Sequence, residues 1–271
     1  MQPRNPIGTD GFDFLEFTTP HPDKLAAQFE SMGFRPVAKH ASSPVIIYQQ
    51  NDIRFFINQT DMSQASQYAK FHGASVSAMG FKVRDANMAL QFVRLKGATP
   101  YQPLDEKMVY DMPAIYGVGN TLIYFVDYKK GVANYAPQFV TTEKLQESSF
   151  KFSHLDHVSF NLYRGHLVKW MEFFTRLFNF HEVPSTSRQN KNTGFKNKFI
   201  ESTCKKIRIS LNESADDKSK VEAFLNHFNG EGIERIALGT SSQTTTQTPL
   251  IFLETVAQIQ QDHRQDEPLP A

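Results

Sequence analysis

The sequence predicts an α+β protein assembled from repeated strand-helix-strand-strand units, and three observations carry that expectation. Phe12–Phe34 and Leu155–Phe180 follow one plan: a strand of alternating residues, a short polar turn, an amphipathic helix, then a Gly-Phe or Asn-Phe stop. Further short strands follow each helix, so the duplicated unit is of β-α-β-β-β type. Phenylalanine is abundant, at 24 of 271 residues, which suits small curved sheets packed on helices around aromatic interiors. At this length, with 40% hydrophobic residues, the chain can bury a substantial core and form two domains of ordinary size.

Taken in order, the lead-in MQPRNPIGT is polar, carries two prolines and is expected to be mobile. Phe12, Phe14 and Glu16 then alternate with Asp13, Leu15 and Phe17 in a strand that Pro20 and Pro22 end. Asp23 is the expected N-cap of a helix over 24–32 with Leu25, Phe29 and Met32 inward and Gly33 as its stop. Val45–Gln49 and Ile53–Asn58 read as strands around the polar turn Gln50–Asp52, and Gln59–Tyr68 reads as a linker. The order then repeats. Ser77–Val83 is a strand, and Asp85–Lys96 is a helix that turns Ala86, Ala89, Leu90 and Val93 inward and stops at Gly97. Pro103–Pro113 is irregular, Leu122–Val126 is a strongly apolar strand, and residues 128–150 read as the connection between a domain over 10–130 and another over 150–260.

The second domain opens on the stretch around which the chain is organised. Leu155, His157, Ser159 and Asn161 alternate with Asp156, Val158 and Phe160, which places His157 on a strand. After Gly165 the period lengthens, and Trp170, Phe173, Phe174, Leu177 and Phe178 form a helical stripe that ends near Asn179. A histidine on a rigid strand backed by a helix is a good support for a metal ligand, whereas a lone strand histidine is more often a hydrogen-bonded structural residue. His154 lies an odd offset away, which on a regular strand faces the other side. Thr186–Asn197 reads as a solvated basic loop, Phe199–Glu201 and Ile207–Leu211 as strands, and Asp216–Phe228 as a helix with Val221, Phe224, Leu225 and Phe228 inward. Ile233–Leu238 starts a fourth module that reads as truncated: after Gly239 come the low-complexity run SSQTTTQTP, an apolar stretch over 250–259 and a charged tail.

Composition narrows the function classes. Lys+Arg 29 against Asp+Glu 28 leaves a formal charge of +1, which gives no footprint for nucleic acid. No signal peptide and no apolar run long enough to span a bilayer is apparent, so neither membrane nor secretion is expected. The single cysteine, Cys204, excludes an internal disulfide and fits a reducing cytoplasm; it reads as a small buried residue.

Several long motifs, in order, carry a resemblance. LDHVSFNLYRG, FFTRLFNF and KKIRISLNESADDKSKVEAFLNHFNGEGIERIALGT, together with NPIGTDGFDFLEFTTPHPDKLAAQFESMGF, AMGFKVRDANMA and PAIYGVGNTLIYFVD, resemble the 4-hydroxyphenylpyruvate dioxygenase family from about Asn5 to Thr240. The bacterial members named for pigment or haemolysis, the legiolysin-like proteins, look most similar. The resemblance implies the vicinal oxygen chelate fold, with tandem βαβββ modules in two half-barrel domains, the second incomplete. It also implies a cytoplasmic, commonly self-associating enzyme of tyrosine catabolism. Such an enzyme uses Fe(II) to convert a small 2-oxo acid, 4-hydroxyphenylpyruvate, with O2 to homogentisate and CO2. The first half-barrel would carry no metal, and Phe12-Asp13-Phe14 stands where the second has Leu155-Asp156-His157.

The resemblance also assigns residues. His157 matches the first iron ligand, and Glu254, in Pro249-Leu250-Ile251-Phe252-Leu253-Glu254, the carboxylate ligand; Glu254 also reads as a polar position on a terminal amphipathic helix. The second ligand histidine of the family falls on Arg235, with Glu234 in place of a glutamine. A guanidinium has no lone pair to give a metal. Glu234 lies one residue off, which on a regular strand turns it to the other face. Asn212, in ISLNE, matches a substrate-contact asparagine, Asn197 a serine of the preceding strand, and Lys220 a glutamine of the following helix. The expectation is a 4-hydroxyphenylpyruvate dioxygenase-type protein with impaired turnover, or a non-catalytic relative that binds a ligand or partner. Iron binding discriminates the two.

Overall fold

The computed structural model describes residues 4–103, 108–142, 152–184 and 194–240 and the backbone of 250–254. The first half runs β1 (Phe12–Thr18), α1 (Pro22–Ser31), β2 (Arg35–His40), β3 (Val45–Gln50) and β4 (Ile53–Asn58), then α2 (Gln64–His72), β5 (Ser75–Lys82) and α3 (Ala86–Leu95). It continues through β6 (Ala114–Tyr116), β7 (Leu122–Val126), the short ladder of β8 (Tyr128–Lys129) with β9 (Val132–Ala133), and β10 (Phe139–Thr141). The second half runs β11 (Phe152–Leu162), α4 (Leu167–Phe178), β12 (His181–Val183), β13 (Phe195–Glu201), β14 (Arg208–Ser214), α5 (Lys220–Phe228), β15 (Gly232–Thr240) and β16 (Leu250–Glu254).

Two mixed sheets result, ordered β10-β2-β3-β4-β1-β5-β7-β6 and β12-β13-β14-β11-β15-β16. Their centres repeat one pattern. β1 pairs parallel with β4 and antiparallel with β5; β11 pairs parallel with β14 and antiparallel with β15. Period two sorts each sheet into faces. Leu15, Phe17, Phe55, Ile57, Met79 and Phe81 of the first sheet share one buried cluster with Val158, Phe160, Ile209, Leu211, Ile236 and Leu238 of the second. Helical Phe29, Val93, Phe174 and Phe178 complete that cluster, so one core serves both halves. The opposite face of the first sheet is filled by its own aromatic cluster, in which Phe14 and Phe56 stack at 4.3 Å beside Tyr110, Tyr124 and Tyr135. No described helix is long and apolar enough to cross a membrane.

Several elements depart from expectation for identifiable reasons. The linker expected at Gln59–Tyr68 holds the first half of α2, capped by Ser63 Oγ accepting from Ser66 N–H at 3.1 Å and stopped at Gly73 with φ 69°. It packs on β1 and β5 of the first sheet, and Tyr68 also joins the cluster of Val221, Phe224, Leu225 and Phe228 on α5; only Ala65 and Tyr68 are buried while Phe71 is exposed, so little apolar periodicity shows. Strand β2 is hidden because Arg35 and Lys39 are exposed and only Val37 is buried, with just the three-residue β10 on its outer side. Asp23 is not the N-cap of α1; His21 stands there without a side-chain cap, and Pro22 supplies the fixed φ of the first turn. The lead-in is ordered from residue 4 on: Asn5 Oδ1 accepts from Thr9 N–H at 2.8 Å, and Ile7 is buried. Residues 128–142 carry three short strands, and β10 joins the first sheet beyond residue 130. Helix α5 starts at Lys220 after Ser219, whose Oγ accepts from Glu222 N–H at 3.0 Å. Strand β13 begins at Phe195, so Asn197 sits in a strand, while 186–193 of the expected basic loop lie outside the described residues. The 250–254 segment is a strand paired to β15 and not a helix.

Candidate functional site

The face of the second sheet turned away from the shared core is polar. It is built by positions two apart on four neighbouring strands: Asn197, Phe199 and Glu201 on β13, Arg208, Ser210 and Asn212 on β14, His157, Ser159 and Asn161 on β11, and Arg235 on β15. Register places Ser159 beside Ser210 and across from Arg235, and Asn161 beside Asn212. His157, Ser159, Asn161, Ser210 and Asn212 are all buried, which demands that their polar atoms find partners.

They largely do so among themselves. Asn197 Nδ2 donates to Asn212 Oδ1 at 2.6 Å and to Ser210 Oγ at 2.7 Å, and Asn212 Nδ2 donates to Asn161 Oδ1 at 3.1 Å. Asn212, matched to a substrate contact, and Asn197, matched to a serine of the preceding strand, are thus brought together in one chain of amides that also takes in Asn161. His157 Nδ1 meets Asp156 Oδ2 at 2.6 Å, and the Phe199 ring stands edge-on at 5.3 Å. Burial alone would raise the Asp156 carboxyl, but hydrogen bonds from His154 and His157 and the charges of His157 and Arg208 outweigh it and hold it well below the usual carboxylate range. Arg208 reaches Asp156 at 3.6 Å and Glu201 at 3.5 Å.

Two β-bulges change the face assignments read from strand parity. One, between Leu155 and His157, lets His154 approach Asp156 Oδ1 at 3.9 Å from the same carboxylate's other side, so the two imidazoles are not separated by the sheet. The other falls between Ser159 and Phe160 where β15 passes Glu234, and it carries Glu234 Oε1 to 4.0 Å from Arg235 Nη2 rather than to the opposite face. Asp156, Asn161 and Arg208 were not singled out by sequence. The first adjoins His157 and the others recur at period two, but their partnership depends on strand order, which no local pattern carries.

The helix behind this face is fixed by two carboxylates. Glu231 accepts from Tyr163 N–H at 2.9 Å and Trp170 Nε1–H at 2.9 Å and meets His166 Nδ1 at 2.8 Å, while Glu213 accepts from Leu167 N–H at 2.8 Å and Lys196 Nζ at 2.9 Å. Negative charge at the first turn of α4 suits its dipole. Lys220 is an exposed first residue of α5, away from the asparagine chain. Cys204 is half-buried with Sγ 3.1 Å from Ser202 Oγ.

A facial iron site needs two imidazoles and a carboxylate converging on one point. His157 suits the first place: it is buried on a rigid strand, and Asp156 holds Nδ1 and so fixes the orientation of the ring. Arg235 does not suit the second, because a guanidinium cannot ligate. Glu254 is the register partner of Arg235 on β16, and its side chain lies outside the described residues. Among the described residues no group of three or more His, Cys, Asp or Glu could hold a metal. The donors among the described residues do not by themselves fit Fe(II).

Comparison with known proteins matches this architecture. Residues 4–139 match the family model described as hydroxyphenylpyruvate dioxygenase, N-terminal. The chain is 40% identical over 243 residues to hemolysin VllY of Vibrio vulnificus, covering 87% of this chain and 68% of that one. It is 39% identical over 241 residues to 4-hydroxyphenylpyruvate dioxygenase of Legionella pneumophila, covering 89% and 68%, and 35% identical over 245 residues to that of Pseudomonas aeruginosa, covering 89% and 69%. Among solved structures, a xylose isomerase-like TIM barrel/4-hydroxyphenylpyruvate dioxygenase fusion protein superposes with TM-score 0.74 at 23% identity, over 90% of this chain and 38% of that one. A 4-hydroxymandelate synthase variant from Streptomyces coelicolor superposes with TM-score 0.71 at 16% identity, over 86% and 71%. The two structures carry the fold, a tandem half-barrel of vicinal oxygen chelate type. With the family model and the sequence relatives beside them, the chain belongs to the 4-hydroxyphenylpyruvate dioxygenase family.

Proposed function

We propose that this chain is a 4-hydroxyphenylpyruvate dioxygenase-type protein whose second half keeps the face that holds an aromatic 2-oxo acid but not a complete set of iron ligands. In this reading the family's reaction, 4-hydroxyphenylpyruvate with O2 to homogentisate and CO2, is impaired. The Asn161–Asn212–Asn197 chain would orient the polar groups of the substrate, and the edge of Phe199 would pack on its ring. His157, steadied by Asp156, would mark the reacting end.

The observation that carries the proposal is the register that sets Arg235 on the same face as His157, directly across from Ser159. The same observation favours a second reading, a non-catalytic member that retains ligand binding. Anaerobic titration with Fe(II) in the presence of 4-hydroxyphenylpyruvate separates them from an active dioxygenase. No visible charge-transfer band is expected, because the 2-oxo acid has no bound iron to chelate. A stoichiometric band would overturn the proposed impairment and show that other residues complete the site.

A further inference from the structure

The first half-barrel carries no candidate metal ligand where the second has His157, since Phe14 fills that place against Gly80; a Cβ at Gly80 would lie 2.5 Å from the Phe14 ring. Its polar feature lies further along the same face. Tyr128 Oη–H donates to Asp13 Oδ2 at 2.5 Å and Tyr135 Oη–H donates to Asp13 Oδ1 at 2.9 Å, so both oxygens of this buried carboxylate are satisfied by hydroxyls. Arg54 therefore meets Asp13 only at 3.6 Å, and its one hydrogen bond among the described residues runs from Nη1 to Tyr128 Oη at 3.5 Å. A guanidinium offers five N–H donors. Here Nη2 and Nε donate none among the described residues, although the side chain is only 20% exposed.

Arg54 lies in the wall of a cavity of about 470 Å³ whose other lining is mainly apolar: Val37, Ile47, Val132, Ala133 and Phe139. That volume falls within the range of small-molecule sites, which are mostly apolar with a few placed polar groups. A mostly desolvated guanidinium with spare donors, facing an apolar cavity, favours a flat anionic acceptor attached to a small apolar body. Asp13 sits behind the guanidinium, occupied by two tyrosines, and exposed Asp52 is the other nearby acid.

We infer that the first half-barrel is a ligand site in its own right, taking a small aromatic carboxylate whose carboxylate pairs with Arg54 while its ring enters the cavity walled by Ile47, Val132 and Phe139. The inference concerns the half without the candidate iron face, and it stands whether or not the second half turns over.

Isothermal titration of the full chain with phenylacetate, and with phenylacetamide as its uncharged isostere, tests the site. Phenylacetate should bind saturably at one site, and phenylacetamide about ten-fold or more weaker, the loss expected for one charge-assisted hydrogen bond. Arg54→Lys, which keeps the charge but not the fork, should weaken phenylacetate similarly. Val132→Trp, placed on a half-exposed lining residue to fill the cavity without disturbing Arg54, should abolish binding. Absence of saturable heat, equal binding of acid and amide, or wild-type affinity in both variants would each overturn the inference. The last outcome would place the ligand elsewhere on the molecule.

Discussion

Glu16 is a fully buried carboxyl held by three donors: Tyr110 Oη–H at 2.5 Å, Asn58 Nδ2–H at 2.9 Å and Ser77 Oγ–H at 2.7 Å. Burial raises its pKa more than those hydrogen bonds lower it. The linkage follows from that direction. Between the unfolded and the higher folded pKa, the folded chain keeps a proton that the unfolded chain has released. The stabilising contribution is therefore complete below the ordinary carboxylate value and is lost as pH rises through the folded value. Glu16→Gln removes this dependence. In urea titrations at several pH values, the stability of the variant relative to wild type should rise with pH. A difference independent of pH would show that Glu16 titrates as an ordinary carboxylate.

At the scale of elements, α4 decides where His157 sits, since the helix backs the strand that carries it, and Glu231 decides where α4 starts. Replacing Glu231 with Ala leaves the buried Trp170 Nε1–H and the Tyr163 N–H without their acceptor, at a cost of about 2–5 kcal/mol. Urea unfolding followed by the fluorescence of Trp170, the protein's one tryptophan, should show that loss, and a change below 1 kcal/mol would mean that water replaces the carboxylate. The helix itself was legible from its stripe of Trp170, Phe174, Leu177 and Phe178, as was its end at Asn179, which adopts φ 58°. Strand β11 was legible because apolar Val158, Phe160 and Leu162 alternate with polar His157, Ser159 and Asn161. Helix α2 and strand β2 were not, because the helix buries only Ala65 and Tyr68 and leaves Phe71 exposed, while the strand buries only Val37. The site was legible in part. His157, Asn197, Asn212 and the misfit of Arg235 follow from residue identity, whereas the Asp156 partnership of His154 and the approach of Glu234 to Arg235 depend on bulges that leave no mark in the periodicity.

Over the whole molecule, side chains of the described residues join the two halves. Phe81 of β5 meets Phe178 edge-on at 5.6 Å and lies 6.2 Å from Phe180, the ring of His72 stacks on Phe228 at 4.5 Å, and Asn51 Nδ2 donates to the Phe152 carbonyl at 2.7 Å. Gly119 of the first half lies so close to the Glu231 backbone of the second that no side chain fits between. A continuous core of this kind should unfold as one unit, because neither half can open without exposing apolar surface of the other. Phe81→Ala tests this directly: the deletion is made in the first half, and Trp170 reports from the second. Removing a fully buried ring should cost about 3–5 kcal/mol. If the core is shared, the midpoint seen by Trp170 fluorescence should fall together with that seen by far-ultraviolet circular dichroism. If Trp170 keeps its wild-type midpoint while the dichroism splits into two transitions, the halves fold independently. The ligand cavity of the first half and the polar face of the second would then belong to two separate bodies with no energetic coupling between them.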